Sequence, residues 1–210
     1  DLLAEFRDRI THLESRAAQS GVVEPWPTWV SSEVKEIFTQ QGISSVWGHQ
    51  AEALNFLHSG KNVVVSTGTS SGKSLIYQVH ALESLLTGRT GSALHGHRRP
   101  TVLYLSPTKA LAADQWARLP KNAPWLRAAT VDGDNTAEER AWARDHANLA
   151  LANPDVLHHS MLPRHKNWSR FWAGLTLVII DEAHHYRGVF GSHVAQVIRR
   201  MQRVCAEYGA

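Results

Sequence analysis

The stretch VVVSTGTSSGKS at residues 63–74 joins a β-branched apolar run to a loop of glycine, serine and threonine. Apolar side chains then recur at helical spacing from Leu75 to Leu86. A strand that enters a helix through such a loop leaves unpaired backbone N–H groups and a partial positive charge at the helix N-terminus. Both suit phosphate oxygens, so the stretch predicts a phosphate-binding loop between a strand over residues 62–66 and the following helix.

Three residues at the end of this loop have distinct chemical roles in that interpretation. Gly72 lets the backbone approach a ligand closely, Lys73 can reach the β- and γ-phosphates, and the hydroxyl of Ser74 can ligate Mg²⁺. The general pattern G-x-x-x-x-G-K-[ST] has glycine where this chain has Thr67, and Gly68 follows one position late. The interpretation stands because backbone amides and the lysine do the binding; the alternative is a Ser/Gly-rich surface turn that contains a lysine.

Composition limits the class of protein. The 210 residues are 43% hydrophobic and 20% charged, which fits one domain of good size and excludes a disordered chain. The sequence shows no apolar run long enough to span a bilayer and no secretory leader, so we expect a cytoplasmic, nucleoid-associated protein with no membrane partner. Cys205 is the single cysteine, which excludes an internal disulfide or a thiolate metal site. A net charge of +3 is a mild preference for polyanions.

Apolar runs and helical patterns alternate along most of the chain. Residues 1–42 predict an N-terminal helical extension, with one amphipathic helix over the first twenty residues and a second from Ser31 or Ser32 to Gln41. From residue 43 to 210, predicted strands over 62–66, 101–105, 128–131, 149–152 and 175–180 alternate with helices. Strands buried on both faces and separated by helices predict an α/β fold with a parallel β-sheet flanked by helices. Residues 88–100 predict a solvated surface loop.

A second motif follows the last predicted strand. Asp181 and Glu182 come directly after the apolar run LVII at residues 177–180, where doubly wound sheets bind ligands. Asp181 would hold Mg²⁺ through its water shell, and Glu182 could orient and deprotonate an attacking water. The alternative is an acidic pair that caps the next helix.

Several separate blocks together resemble one family. The phosphate-loop stretch, SPTKAL at 106–111 and DEAH at 181–184 occur in the order seen in superfamily-two DExH-box helicases. The longer DEAHHYRGVFGSH at 181–193, DGD at 132–134 and NPDVLH at 153–158 resemble the MrfA/SftH-type DNA helicases, a RecQ-related DNA-repair branch. The resemblance covers residues 43–205. It implies the first of two RecA-like lobes, a P-loop domain that uses ATP and Mg²⁺, moves 3′→5′ on single-stranded DNA, and works against a second lobe of the same protein.

The resemblance also implies roles for single residues. It makes Lys73, Asp181 and Glu182 catalytic, Ser74 and Asp181 the Mg²⁺ ligands, Gln50 the reader of adenine, and His184 the link between the two binding faces. The nucleotide-binding set is Gln50, Thr67, Gly68, Thr69, Ser70, Ser71, Gly72, Lys73 and Ser74. The implied contacts to nucleic acid come from Pro107, Thr108, Lys109, Gly133 and Asn153. The family has threonine where this chain has Ala152, so a hydroxyl contact to phosphate is not expected there.

One alternative to a motor remains. A nucleotide-binding adaptor lobe could hold nucleic acid without motor activity, whereas a small P-loop kinase would not explain residues 106–111. No second sheet follows Cys205, so residues 1–210 alone are expected to bind ATP but to be nearly inactive in hydrolysis. Polarity, substrate structure and oligomeric state are not set by these residues.

Histidines also raise a metal hypothesis. They form two sequence clusters, made of His158, His159 and His165, and of His184, His185 and His193. Neither has the spacing H-E-x-x-H, and neighbouring histidines are expected to point to different faces of a helix or strand. The sequence therefore favours surface and network histidines over a zinc site.

Overall fold

A computed structural model describes residues 21–68, 71–87 and 99–210, together with positions 9, 11, 12 and 14. Several expectations lie outside the described residues. They are the helix over the first twenty residues, most of the loop at 88–100, and the loop positions Thr69 and Ser70.

The described part contains six strands and eight α-helices. The strands are β1 (Val23–Glu24), β2 (Val46–Trp47), β3 (Thr101–Leu105), β4 (Ala128–Thr130), β5 (Leu149–Ala152) and β6 (Leu175–Ile180). The helices are α1 (Ser32–Thr39), α2 (Gly48–His58), α3 (Lys73–Thr87), α4 (Lys109–Ala117), α5 (Ala137–His146), α6 (Pro154–Val156), α7 (Ser169–Ala173) and α8 (Gly188–Tyr208). A π-helical turn (Leu157–Met161) follows α6, and a 3₁₀ turn (Ala183–His185) follows β6. Within these ranges the helices are too short or too polar to cross a lipid bilayer.

A four-stranded parallel sheet forms the centre of the fold. Its strand order is β4-β5-β3-β6, and Leu105 at the end of β3 lies beside Ala152 of β5 and Ile180 of β6. Every residue of β3 and β5 is buried, because helices cover both faces of the sheet. The register brings the residues that follow these three strands, Ser106, Asn153 and Asp181, to one edge. The expected α/β fold with a parallel sheet flanked by helices is confirmed.

The strand predicted over residues 62–66 is wrong. Residues 61–68 have no regular secondary structure, and β6 pairs with β3 alone among the described strands. Val63 and Val65 are half-buried against the core, but Val64 is 95% exposed. The run is therefore apolar on one side only, and a β-branched composition does not make a strand without a hydrogen-bonding partner.

Helix caps follow the sequence closely. Thr136 and Glu139 form the expected capping box at the start of α5, and Ser31 caps α1 by accepting a hydrogen bond from the backbone N–H of Val34. The last helix is longer than the predicted 192–203, since it begins at Gly188 and ends at Tyr208. Residues 154–160 predict one short helix, but the chain forms α6 and then the π-helical turn.

The described residues 21–42 pack on the domain. Val34, Ile37 and Phe38 of α1 share a buried cluster with Ile76 and Val79 of α3. The carboxylate of Glu83 accepts hydrogen bonds from the backbone N–H of Ser31 at 2.5 Å and from its hydroxyl at 2.7 Å. The apolar face of α1 is therefore covered by α3, the helix that begins with the phosphate-loop lysine.

Candidate functional site

The phosphate loop is closed by its own lysine. The ammonium of Lys73 donates to the carbonyl oxygens of Thr67 at 2.8 Å and Gly68 at 2.9 Å, and the hydroxyls of Thr67 and Ser71 lie 2.6 Å apart. Gly72 has a φ of +74°, a left-handed conformation that favours glycine. The carbonyls that hold Lys73 are neutral, so anionic phosphate oxygens could replace them with stronger, charge-assisted bonds. Thr69 and Ser70 belong to the part of the loop outside the described residues.

Gln50 ties the start of α2 to this loop. Its side chain is only 2% exposed; the amide oxygen accepts from the N–H of Trp47 at 2.8 Å, and the amide nitrogen donates to the carbonyl of Gly72 at 3.0 Å. A ring nitrogen of His49 also lies 3.2 Å from the carbonyl oxygen of Ser71. The structure therefore places Gln50 beside the phosphate loop, and its reading of adenine stays a prediction.

Asp181 is held from two sides at the end of β6. The hydroxyl of Tyr104 donates to its Oδ2, and the backbone N–H of Glu182 donates to its Oδ1 at 2.9 Å. Tyr104 is 2% exposed; burial, and then the bond to Asp181, raise the pKa of its phenol above the usual value of 10.0. The tyrosine therefore remains a hydrogen-bond donor to the carboxylate. Sequence reasoning missed Tyr104, although a hydroxyl in the otherwise apolar end of a buried strand was a signal.

A second tyrosine connects the loop helix with Asp181. Tyr77 lies one turn after Ser74 on α3, and its hydroxyl donates to Oε1 of Gln115 at 2.8 Å. Its ring centroid lies 5.7 Å from that of Tyr104. Burial, opposed by the hydrogen bond to the Ser74 hydroxyl and helped by the negative charge of Asp181, raises the pKa of Tyr77 to about 12. Tyr77 therefore packs against Tyr104, the residue whose hydroxyl donates to Asp181.

The residues after Asp181 form a tight turn. Glu182 has a φ of 49° and is the one residue other than glycine with positive φ in the described ranges. Its Oε2 lies 3.1 Å from Nδ1 of His184, and the ring centroids of His184 and His185 are 4.5 Å apart. The expectation that neighbouring histidines point apart is therefore wrong for this pair, whose rings lean toward each other in the 3₁₀ turn. The same correction applies to His158 and His159, whose centroids are also 4.5 Å apart in the π-helical turn.

The predicted nucleic-acid residues follow three adjacent strands. Pro107, Thr108 and Lys109 come after β3, Gly133 after β4 and Asn153 after β5, all at the edge that also carries Asp181. Thr108 caps α4 and Asn153 caps α6, so the side-chain oxygens of both accept backbone N–H bonds.

An ion pair lies across this surface. Nζ of Lys109 is 2.6 Å from Oδ2 of Asp134, and both side chains are largely exposed. The bond from Asp134 raises the pKa of Lys109 above its usual value. Lys109 is therefore charged, and a carboxylate holds it.

A parallel sheet with a lysine-bearing phosphate loop and an Asp-Glu pair at its carboxyl edge defines a P-loop nucleotide-binding domain of RecA-like architecture. Residues 47–208 match the DEAD/DEAH box helicase model, and the chain belongs to that family.

Relatives and solved structures agree with this assignment. The chain is 44% identical to the ATP-dependent helicase HRQ1 of Saccharomyces cerevisiae over 81% of its length and 16% of that protein. It is 37% identical to the uncharacterized ATP-dependent helicase YprA of Bacillus subtilis over 94% of its length and 25% of that protein. The crystal structure of the DUF1998 helicase MrfA bound to DNA and AMPPNP matches with a TM-score of 0.83 at 36% identity, covering 91% of this chain and 26% of that one. The chain thus spans about a quarter or less of these proteins, and the resemblance to the first RecA-like lobe of MrfA-type helicases is confirmed.

Proposed function

We propose that the chain is the ATP-binding lobe of an ATP-dependent DNA helicase that couples Mg-ATP hydrolysis to movement along single-stranded DNA. In this proposal, residues 43–210 form the lobe, residues 1–42 are its N-terminal extension, and a second RecA-like lobe of the same protein closes on ATP. The observation that carries it is the meeting of two predicted sites at one edge of the sheet. Asp181 follows β6, while Lys109 and Asn153 follow the adjacent β3 and β5. The 3′→5′ direction, the role in DNA repair and a cytoplasmic, nucleoid-associated location are proposed from the resemblance.

The nucleotide side of the site carries groups that would bind Mg-ATP and the attacking water. Lys73 and the loop amides would bind the phosphates, with Lys73 exchanging its bonds to Thr67 and Gly68 for phosphate oxygens. The hydroxyl of Ser74 and the carboxylate of Asp181 are hard oxygen donors, which suit Mg²⁺, and the metal would neutralise charge on the transferred phosphoryl group. Glu182 would accept a proton from the attacking water.

The strand side would bind the DNA backbone. The backbone amides at the start of α4 and the ammonium of Lys109 offer donors to phosphate, as do the groups around Gly133 and Asn153. Nδ1 of His184 lies beside the carboxylate of Glu182. We propose that His184 links the state of the bound nucleotide to the affinity for the DNA strand.

A comparison of two forms of the protein separates a motor from an adaptor lobe. The transition state of phosphoryl transfer needs an arginine, which comes from the second lobe in the helicases that this chain resembles. Such an arginine contributes roughly 10³–10⁵ in rate, or about 4–7 kcal/mol of barrier. A polypeptide of residues 1–210 should therefore hydrolyse ATP slowly and without DNA stimulation, whereas a two-lobed form should regain both rate and stimulation. Equal, DNA-independent rates in the two forms would instead support the adaptor lobe.

The ion pair of Lys109 gives a test of the strand side. Asp134→Asn should raise the affinity for single-stranded DNA several-fold, because the carboxylate competes with phosphate for the same ammonium. Lys109→Ala should lower the affinity equally for all sequences and make the plot of log affinity against log salt shallower by roughly 0.7. Fluorescence anisotropy with labelled oligonucleotides at several salt concentrations measures both.

A matched control lies on the same helix. Asp114 forms an exposed ion pair with Arg118, so Asp114→Asn changes the net charge equally but leaves Lys109 held. If Asp114→Asn raises DNA affinity as much as Asp134→Asn does, net charge explains the effect and Lys109 has no special role.

A further inference from the structure

The turn after β6 gathers three metal-binding side chains. Glu182, His184 and His185 each offer one ligand atom, and these atoms all lie within 4.8 Å of one another. Oε2 of Glu182 and Nδ1 of His184 lie 3.1 Å apart. Asp181 is not one of the three. Its two oxygens accept hydrogen bonds from Tyr104 and from the N–H of Glu182.

Backbone geometry explains why these side chains converge. Glu182 adopts left-handed φ and ψ of 49° and 41°, which costs a residue with a Cβ roughly 1–2 kcal/mol. The turn is then closed by a 2.9 Å hydrogen bond from the N–H of His185 to the carbonyl of Glu182. In this turn the ligand atoms of Glu182, His184 and His185 come within 4.8 Å of one another.

The donor set selects a class of metal. Zinc bonds to histidine nitrogen and carboxylate oxygen are about 2.0–2.2 Å long, so ligand atoms around a tetrahedral ion lie roughly 3.3 Å apart. The 3.1 Å pair has about this spacing, and the ring of His185 is exposed to solvent with its ligand atom within 4.8 Å of the other two. Two imidazoles and one carboxylate suit Zn²⁺ and its neighbours in the transition series, whereas Mg²⁺ takes oxygen ligands.

We propose that Glu182, His184 and His185 form a binding site for a Zn²⁺-class divalent cation, separate from the Mg²⁺ site of Ser74 and Asp181. The side chains of Glu182 and His184 are 38% and 60% exposed, so an ion and its fourth ligand, water, can reach them. Occupancy places the carboxylate of Glu182 on the metal and removes it as an acceptor for the proton of the attacking water. The site therefore inhibits hydrolysis; this consequence rests on the proposed function, but the binding itself does not.

Binding can be measured without turnover. Co²⁺ is the probe, because it replaces Zn²⁺ and gives strong visible absorption when its site is tetrahedral; the buffer contains excess Mg²⁺. The wild-type protein should show this absorption and lose it on addition of Zn²⁺. His185→Gln should weaken Co²⁺ and Zn²⁺ binding at least about tenfold, since even partners outside the ligand shell are typically worth 10–100-fold.

His193→Gln is the matched control, because His193 follows in the same sequence cluster but is not one of the three donors. If His185→Gln and wild type titrate alike, or His193→Gln loses as much affinity as His185→Gln, the site does not exist.

The inhibitory role is tested separately by adding Zn²⁺ to the two-lobed form during ATP hydrolysis. Zn²⁺ should slow the wild type and spare His185→Gln; equal slowing of both would overturn the inhibition. If the two-lobed form does not hydrolyse ATP, the proposed function is disproved. The Co²⁺ titration still decides whether the metal site exists.

Discussion

Lys73→Ala should lower the affinity for ATP by about 100-fold, or roughly 2.7 kcal/mol. The lysine is expected to exchange its two bonds to the carbonyls of Thr67 and Gly68 for bonds to phosphate oxygens. Hydrogen bonds to charged groups contribute about 1.5–3 kcal/mol each, and alanine offers none. The fold should remain intact, because the ammonium contacts only its own loop in the described part of the chain. Titration of a fluorescent ATP analogue measures the loss, and circular dichroism monitors folding.

Lys61→Ala is the control for this variant. Lys61 begins the irregular segment at 61–68, and its ammonium sits 4.9 Å from the centroid of the Phe56 ring. It removes the same charge without touching the phosphate loop. An unchanged ATP affinity in Lys73→Ala, or an equal loss in Lys61→Ala, would show that the loop does not bind phosphate through this lysine.

Glu182→Gln should reduce hydrolysis in the two-lobed form by about 10²–10⁴-fold, which is the usual contribution of a general base, and leave ATP binding almost unchanged. Glutamine keeps the size of the side chain but cannot take the proton of the attacking water at neutral pH. Single-turnover hydrolysis of labelled ATP measures the chemical step, and the same titration as for Lys73 measures binding.

Glu138→Gln provides the comparison, because Glu138 is an acidic residue in the first turn of α5 and far in sequence from the Asp-Glu pair. It should behave as wild type. Retention of more than about a tenth of the wild-type rate in Glu182→Gln would contradict the role of this carboxylate as base.

Local patterns predicted most of the fold. The strands over 101–105, 149–152 and 175–180 were predicted at their observed bounds, because each is a short apolar run between turn residues. Thr136 and Glu139 marked the start of α5, since a capping box acts within four residues. The carboxyl-edge position of Asp181 follows from the end of its strand and the parallel sheet.

Features that depend on distant contacts were not predictable. The run at 62–66 has the composition of a strand, but hydrogen-bonding partners decide whether one forms. The bond from Tyr104 to Asp181 depends on the register that sets Tyr104 beside Ile179, and no sequence spacing encodes it. The left-handed conformation of Glu182 is set by the whole turn and not by its residue type. In that turn the ring centroids of His184 and His185 lie 4.5 Å apart.

The side chain of Gln50 connects the start of α2 with the phosphate loop. It is bonded to the N–H of Trp47 at one end and to the carbonyl of Gly72 at the other, and a Cβ added at Gly72 would lie 2.5 Å from its amide nitrogen. A weaker ATP affinity in a Gln50 variant is therefore not a measure of lost adenine contacts alone, since the phosphate loop loses its support as well. Base selectivity has to be read from the ratio of ATP to GTP binding, in which a loosened phosphate loop affects both nucleotides and cancels.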